Sequence, residues 1–171
     1  MTGQEQGLVV RKMEEKDVGE AAEVSTEAFS DAYERFAKGY YPKVAYEHFL
    51  EEHRPEHYRA FLKDPERFSF VAEEGREIVG VALGRVFGRS GLAILNWICV
   101  RPDKQGRGIG TSLLEHVIGY CRSLGCHKLT LYTLPVLRPA VGLYLKMGFF
   151  PEAYLRREWW GVDFLKMSKW F

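Results

Sequence analysis

The residues with the clearest capacity for chemistry are Gln105-Gly106-Arg107-Gly108-Ile109-Gly110-Thr111, a glycine-rich turn between an apolar run and an amphipathic one. Glycine lets a backbone approach a ligand closely and adopt positive φ. The first amides of a helix have no intrahelical acceptors, and the helix dipole favours an anion in front of them. A phosphate or pyrophosphate fits such a turn, with Arg107 adding charge from the rim. The alternative is a turn that only joins strand to helix. Two phosphate patterns fail on spacing. A Walker loop needs Lys before Ser/Thr, but Gly110 precedes Thr111. A Gly-x-Gly-x-x-Gly dinucleotide fingerprint needs glycine where Thr111 or Leu113 stands.

The elements around the turn follow from hydropathy periodicity. Leu8–Met13 reads as a strand, and Asp17 with Glu20 as a capping pair opening a helix that buries Val18, Ala21, Ala22, Ala28, Phe29 and Ala32. Helical stretches are expected over Val44–Glu52 and Glu56–Lys63, punctuated by Pro42, Pro55 and Pro65. Phe68–Glu73, Glu77–Phe87 and Leu92–Val100 form a meander. The glycine turn leads into a helix to about Ser123 with one apolar stripe from Ile109 to Cys121, stopped by Gly125. Lys128–Thr133 is a strand, Pro139 opens a short helix closed by Gly148, and Phe149–Trp159 with Val162–Trp170 reads as a terminal hairpin. The result is a mixed α/β sheet. The strand–helix–strand unit from Leu92 to Thr133 predicts a right-handed crossover between two parallel strands.

These residues match a family pattern. Gln105-x-x-Gly108-x-Gly110 resembles the Gln/Arg-x-x-Gly-x-Gly/Ala signature of the GNAT superfamily of acetyl-CoA-dependent N-acetyltransferases. Val100-Arg101-Pro102 resembles the family's strand end, and Ala140 to Phe149 resembles its Ala-x-x-Leu-Tyr-x-Lys-x-Gly-Phe stretch. The terminal Asp163–Met167 looks like its last strand. The resemblance implies a mostly antiparallel sheet with two parallel, splayed strands and helices on both faces. Acetyl-CoA would enter the splay as cosubstrate, with its pantetheine along the backbone near Ile98 and Val100. Its pyrophosphate would lie on amides from Gln105 through Gly106, Arg107, Gly108, Ile109 and Gly110 to Thr111. An amine would attack the thioester directly.

Tyr144 matches the family's tyrosine near the CoA sulfur. A phenol of pKa ~10 could protonate a leaving thiolate of pKa ~8.5. Alternatively the ring packs on Phe149 and points its hydroxyl to solvent. The sequence departs from the family twice. Asn96 and Trp97 stand where many members carry a base glutamate, and Leu137 where an asparagine often contacts the pantetheine. Glu27, Asp31, Glu34 and His48 lie in the region that shapes the acceptor pocket, and none stands out as a base.

Other features bound the reading. The 171 residues suit one domain over 1–171. With 24 basic against 23 acidic residues, nothing suggests a nucleic-acid partner. Three irregularly spaced cysteines read as reduced thiols, and neither a leader nor an apolar run of the roughly 18 residues a membrane span needs is evident, so a cytoplasmic protein is expected. Cys99 could accept an acyl group or be a buried core thiol. The five histidines show no metal spacing, and Pro55 separates His53 from His57. Tyr33, Phe36, Tyr40, Tyr41, Trp159 and Trp160 could line an acceptor pocket, fill the core or form a dimer surface. The resemblance implies an acceptor that is a small amine or a protein N-terminus or lysine. A non-catalytic CoA-binding sensor or scaffold of the same fold is the alternative function.

Overall fold

The computed structural model describes residues 7–171. Its strands are β1 (Val9–Lys12), β2 (Arg67–Glu74), β3 (Glu77–Phe87), β4 (Leu92–Val100), β5 (Lys128–Thr133), β6 (Phe150–Leu155) and β7 (Phe164–Trp170). Its α-helices are α1 (Val18–Ala32), α2 (Lys43–Glu52), α3 (Pro55–Lys63), α4 (Ile109–Ser123) and α5 (Arg138–Lys146). The strands form one seven-stranded sheet in the order β1-β2-β3-β4-β5-β7-β6. Every neighbouring pair is antiparallel except β4 and β5, the two strands joined through α4.

Alternation along the strands divides the core into two layers. Phe70, Ala72 and Ala82 face α4, whose Leu113, Leu114, Val117 and Cys121 are fully buried there, and α5 packs its Ala140, Val141 and Leu143 against the same layer. Val71, Val81 and Leu83 face the opposite way, onto Val18, Ala21, Ala22 and Ala28 of α1 and Tyr58 of α3. β3 is buried on both faces for most of its length, as a central strand must be when helices cover both sides.

A small polar knot fastens the α1 layer to β4. Ser25 Oγ accepts hydrogen bonds from the Tyr58 hydroxyl (2.6 Å) and from the Trp97 indole N–H (3.0 Å), and lies 3.6 Å from Cys99 Sγ. Residues of α3 and β4 thus converge on one fully buried serine of α1. Burial also pushes the Tyr58 hydroxyl well above its usual range, so it remains a donor.

Two expectations about these elements need correction. Asp17 and Glu20 do not cap α1. Asp17 is buried, and its carboxylate takes two bonds from the Arg11 guanidinium (2.7 and 2.9 Å) and one from the Glu14 N–H (2.8 Å). A charge-assisted bidentate pair outweighs a neutral cap, and Arg11 holds the Asp17 carboxyl below its ordinary range. Glu20 instead accepts from the Ile78 N–H (2.8 Å), tying α1 to β3. The first terminal strand stops at Leu155, not Trp159. Asp163 captures the Arg157 N–H (2.8 Å) and the Tyr154 hydroxyl (3.0 Å), and the chain turns through Trp159–Gly161. Beyond α1 the chain widens into a π turn over Tyr33–Ala37 that stacks Tyr33 on Tyr46 at 4.3 Å.

Two stability measurements follow from this packing. Ser25→Ala leaves the buried Tyr58 hydroxyl and the half-buried Trp97 N–H without their acceptor, so urea unfolding should report a loss of about 1–3 kcal/mol. Glu152 of β6 is paired with Lys128 of β5 and bonded to Ser168 of β7 (2.6 Å), and also lies 3.1 Å from Lys166. The Lys128 and Ser168 bonds pull its carboxyl down to about 2. A carboxyl depressed in the folded state stabilises above its unfolded pKa and loses that contribution as pH falls. Acid unfolding between roughly pH 4.5 and pH 2 should therefore be less steep in Glu152→Gln than in the parent. Parallel curves would show that the hairpin does not depend on this carboxylate.

Candidate active site

The site begins where the parallel pair ends. β4 and β5 are in register only from Leu92↔Lys128 to Leu95↔Leu131. At the next residue β4 bulges: Leu83 of β3 faces Trp97 and Gly84 faces Leu95, leaving Asn96 unopposed. β5 continues straight on beside β7, pairing Tyr132 with Lys166 and Thr133 with Leu165. The two strands therefore part at Asn96. The Arg101 N–H donates to the Val79 carbonyl (2.9 Å), so strand alternation directs Cys99 to the β3 edge and Ile98 and Val100 to the open one. The Val100 carbonyl indeed faces away from β3, where it accepts from the Gln105 side chain (3.1 Å).

A cleft of about 550 Å³ occupies this gap. One end is floored by the glycine turn. Gly106 and Gly108 have φ of 77° and 81°, and a Cβ on either would meet nothing within 4 Å, so conformation and not space requires glycine at both positions. The backbone N–H groups of residues 106–111 donate to no acceptor among the described residues, and Ser112 is the first of α4 to bond back, to Gly108 (3.0 Å). Six consecutive free amides at a helix start make a concave anion cradle. Gln105, Gly106, Gly108, Ile109, Gly110 and Thr111 all line the cleft. Arg107 does not. Its guanidinium is held by Glu74 (2.8 and 3.1 Å), which also binds Lys104 (3.1 Å), and the two cations keep the Glu74 carboxyl below its ordinary range. Lys104, unremarked in the sequence, lines the cleft beside Gln105.

Tyr144 stands in the cleft wall from α5, 7% exposed, with its ring 6.0 Å from Phe149. It both packs on Phe149 and borders the cleft. Burial, with Cys99 nearby, pushes its hydroxyl upward, so it stays protonated and can act as a donor. Cys99 also borders the cleft, but burial pushes its thiol up to about 12. A thiol that remains protonated is a poor nucleophile, in keeping with a core role. Leu137 lines the cleft and supplies no polar group.

The candidate bases separate clearly. Asp31 borders the cleft and is paired with Arg35 (3.1 Å). Glu34 is paired with Lys38 at the surface, and Glu27 is exposed away from the cleft. Asn96 opens onto the cleft and onto a second chamber, which holds His48. His53 and His57 lie on different elements, each with Nδ1 on a backbone carbonyl (2.9 Å). Among the described residues no three His, Cys, Asp or Glu side chains gather as for a metal. Of the sequence's candidate aromatics, Phe36 and Tyr41 line the cleft and Trp159 and Trp160 the second chamber. Phe49, Tyr132 and Phe164 border both and were not singled out by the sequence. An exposed tyrosine at the carboxyl end of a parallel strand was the available signal for Tyr132.

The model of the Acetyltransferase (GNAT) family matches residues 27–149, which contain the turn, both parting strands and Tyr144. The chain belongs to this family. An uncharacterised N-acetyltransferase of Schizosaccharomyces pombe is 38% identical over 78 residues, covering 43% of this chain and 48% of that protein. A mycothiol acetyltransferase of Pseudarthrobacter chlorophenolicus is 33% identical over 90 residues, covering 50% of this chain and 28% of that one. The chain thus matches half or less of the length of these curated relatives. The solved PaiA N-acetyltransferase of Thermoplasma acidophilum, in complex with coenzyme A, superposes with a TM-score of 0.81 at 20% identity, covering 96% of this chain and 99% of that one. At that identity the likeness speaks for a shared GNAT fold.

Gly108→Val puts a β-branched residue at φ 81°. Urea unfolding should show a loss of about 1–2 kcal/mol, whereas Gly88→Ala, at a glycine without positive φ, should change stability by less than about 0.5 kcal/mol. Equal effects would show that the turn does not enforce this backbone.

Proposed function

We propose that this GNAT chain is an N-acetyltransferase that moves the acetyl group of acetyl-CoA to a primary amine. The observation that carries the proposal is the cleft itself: an open strand edge at Ile98 and Val100, six free amides at one end, and a protonated Tyr144 in the wall. The pantetheine arm, with its two amides, suits the open edge of β4 as a short added strand. The pyrophosphate suits the N–H groups from Gly106 to Thr111. Gln105 braces the turn through Val100, and Arg107 contributes only its long-range charge, since Glu74 holds it.

In this reading the amine nitrogen attacks the thioester carbonyl, a C–N bond forms, and the C–S bond breaks. The Ile98 N–H on the open edge polarises the carbonyl oxygen. The Tyr144 hydroxyl gives its proton to the departing sulfur and recovers one from the new amide nitrogen through solvent. Residues 1–171 act as one catalytic domain. Three buried free thiols accord with a reducing, cytoplasmic setting. Exposed Phe150 and Tyr154 on the edge strand β6 accord with a homodimer. The balanced charge accords with no nucleic-acid partner, and no described helix is long and apolar enough to cross a membrane. The second reading, a CoA-binding sensor or scaffold, draws on Asn96 and Trp97, neither of which can serve as a base.

Calorimetric titration with acetyl-CoA, coupled to thiol release with a panel of primary amines, distinguishes the two. Tyr144→Phe should bind acetyl-CoA about as tightly as the parent and turn over on the order of a hundredfold more slowly. Binding without turnover by the parent would favour the sensor, and absence of binding would remove both readings.

A further inference from the structure

Beside the cleft, and open to it at Asn96, lies a chamber of about 630 Å³ between α2, the β4–β5 fork and the turn at Trp159–Gly161. Its walls are mostly aromatic rings. Among its lining residues Glu52 is the one carboxylate and His48 the one imidazole. They stand four residues apart on α2, with His48 Nε2 3.3 Å from Glu52 Oε1. Trp160 lies beside the His48 ring, with the ring centroids 5.3 Å apart and the planes tilted by 54°.

The turn that carries the two tryptophans is built at a cost. Trp160 has φ of 61°, a left-handed conformation that a bulky residue rarely adopts. The turn is braced from behind, where Asp163 holds the Arg157 N–H and the Tyr154 hydroxyl, and its own carbonyl takes the Tyr40 hydroxyl (2.8 Å). Yet the rings it presents are not core: Trp159 is 51% exposed and Trp160 43%. Trp159 stands edge-on to Tyr132 (5.5 Å, 89°), at the point where β5 leaves β4. A strained, braced turn that holds large apolar rings in the open is the pattern of a binding wall and not of packing.

Resting on the acetyl-transfer reading above, we propose that this chamber is the acceptor site and takes a primary amine carried on an aromatic body, with His48 as its base. The aromatic body stacks among Trp159, Trp160 and Tyr132, and the ammonium turns toward Asn96 and the thioester. Glu52, 3.3 Å from His48 Nε2, attracts the cation, and the imidazole accepts the proton through a ring nitrogen. His48 takes one proton from the ammonium and passes it to water, to which its ring is half open. The free amine then attacks as above, with Tyr144 protonating the sulfur. Overall, one ammonium and one thioester give one amide, one thiol and one proton. This supplies the base that Asn96 and Trp97 lack. A linear polyamine is disfavoured because its further ammonium groups would meet no second carboxylate in the chamber.

The test measures thiol release from acetyl-CoA with phenethylamine and with spermidine as probes, alongside calorimetric binding of acetyl-CoA to each variant. The parent should favour phenethylamine by at least about tenfold in kcat/KM, the scale of one lost apolar or cation–π contact. Trp160→Ala should raise KM for phenethylamine and leave acetyl-CoA affinity unchanged. His48→Ala should lower kcat on the order of a hundredfold, with added imidazole restoring part of it, and His48→Gln should be equally slow. Both changes lie at exposed positions, so circular dichroism should be unaltered. Preference for spermidine, an unimpaired His48→Ala, a defect that imidazole does not relieve, or acetyl-CoA binding with neither amine consumed would overturn the proposal while leaving acetyl-CoA binding intact. Failure to bind acetyl-CoA would instead remove the reading on which it rests.

Discussion

Backbone hydrogen-bonding groups on a strand need partners, and in this sheet one strand is deprived of them on one side by design. β4 pairs with β3 along its whole length but with β5 only as far as Leu95. The cause is local: one extra residue, Asn96, bulges out of the β3–β4 ladder, so β4 bends while β5 stays with β7. Everything at the site depends on that parting. It exposes the Ile98 and Val100 edge, admits α5 with Tyr144 to the wall, and leaves the amides before α4 aimed into open space. Closing it would cover the cleft and leave a seven-stranded sheet with no place for a ligand.

A gap in the middle of a sheet is stable only if both faces are held. On one face α4 buries a continuous apolar stripe against β2, β3 and β4, and α5 packs its partly buried residues against the same cluster. On the other, Ser25 gathers Tyr58, Trp97 and Cys99, fixing β4 to α1 and α3 immediately beyond the bulge. Trp97 is thus explained by structure and not by catalysis. With Asn96 it covers the positions where the family resemblance implies a base glutamate, and its indole is committed to the knot. The same constraint sets the chemistry of the cleft, because the burial that steadies β4 keeps both Cys99 and Tyr144 protonated.

Much of this was legible in the sequence, and for physical reasons. The glycine turn is readable because positive φ at two alternate positions nearly dictates residue type, and the amphipathic period of Ile109–Cys121 names the helix that follows. The parallel pair follows from the handedness of a strand–helix–strand crossover. Less legible were features set by tertiary competition. Arg107 reads as a phosphate contact until Glu74, thirty-three positions away in sequence, is seen to hold it. Asp17 reads as a cap until Arg11 claims it. The bulge at Asn96 has no composition of its own, since it arises from the registers of two neighbouring strands. His48 and Glu52 look like an ordinary surface pair on α2, and only the fold brings a strained tryptophan turn over them.

The most direct measurement is residue-resolved amide NMR of the isotopically labelled chain during titration with coenzyme A. If the gap between β4 and β5 is the cofactor channel, the amides of Gly106 to Thr111 and of Ile98 and Val100 should move together and saturate at one equivalent. Those of Cys99 and Arg101, which face β3, should move far less. Saturation with these amides unmoved, or shifts confined to the β6–β7 end of the sheet, would contradict the account.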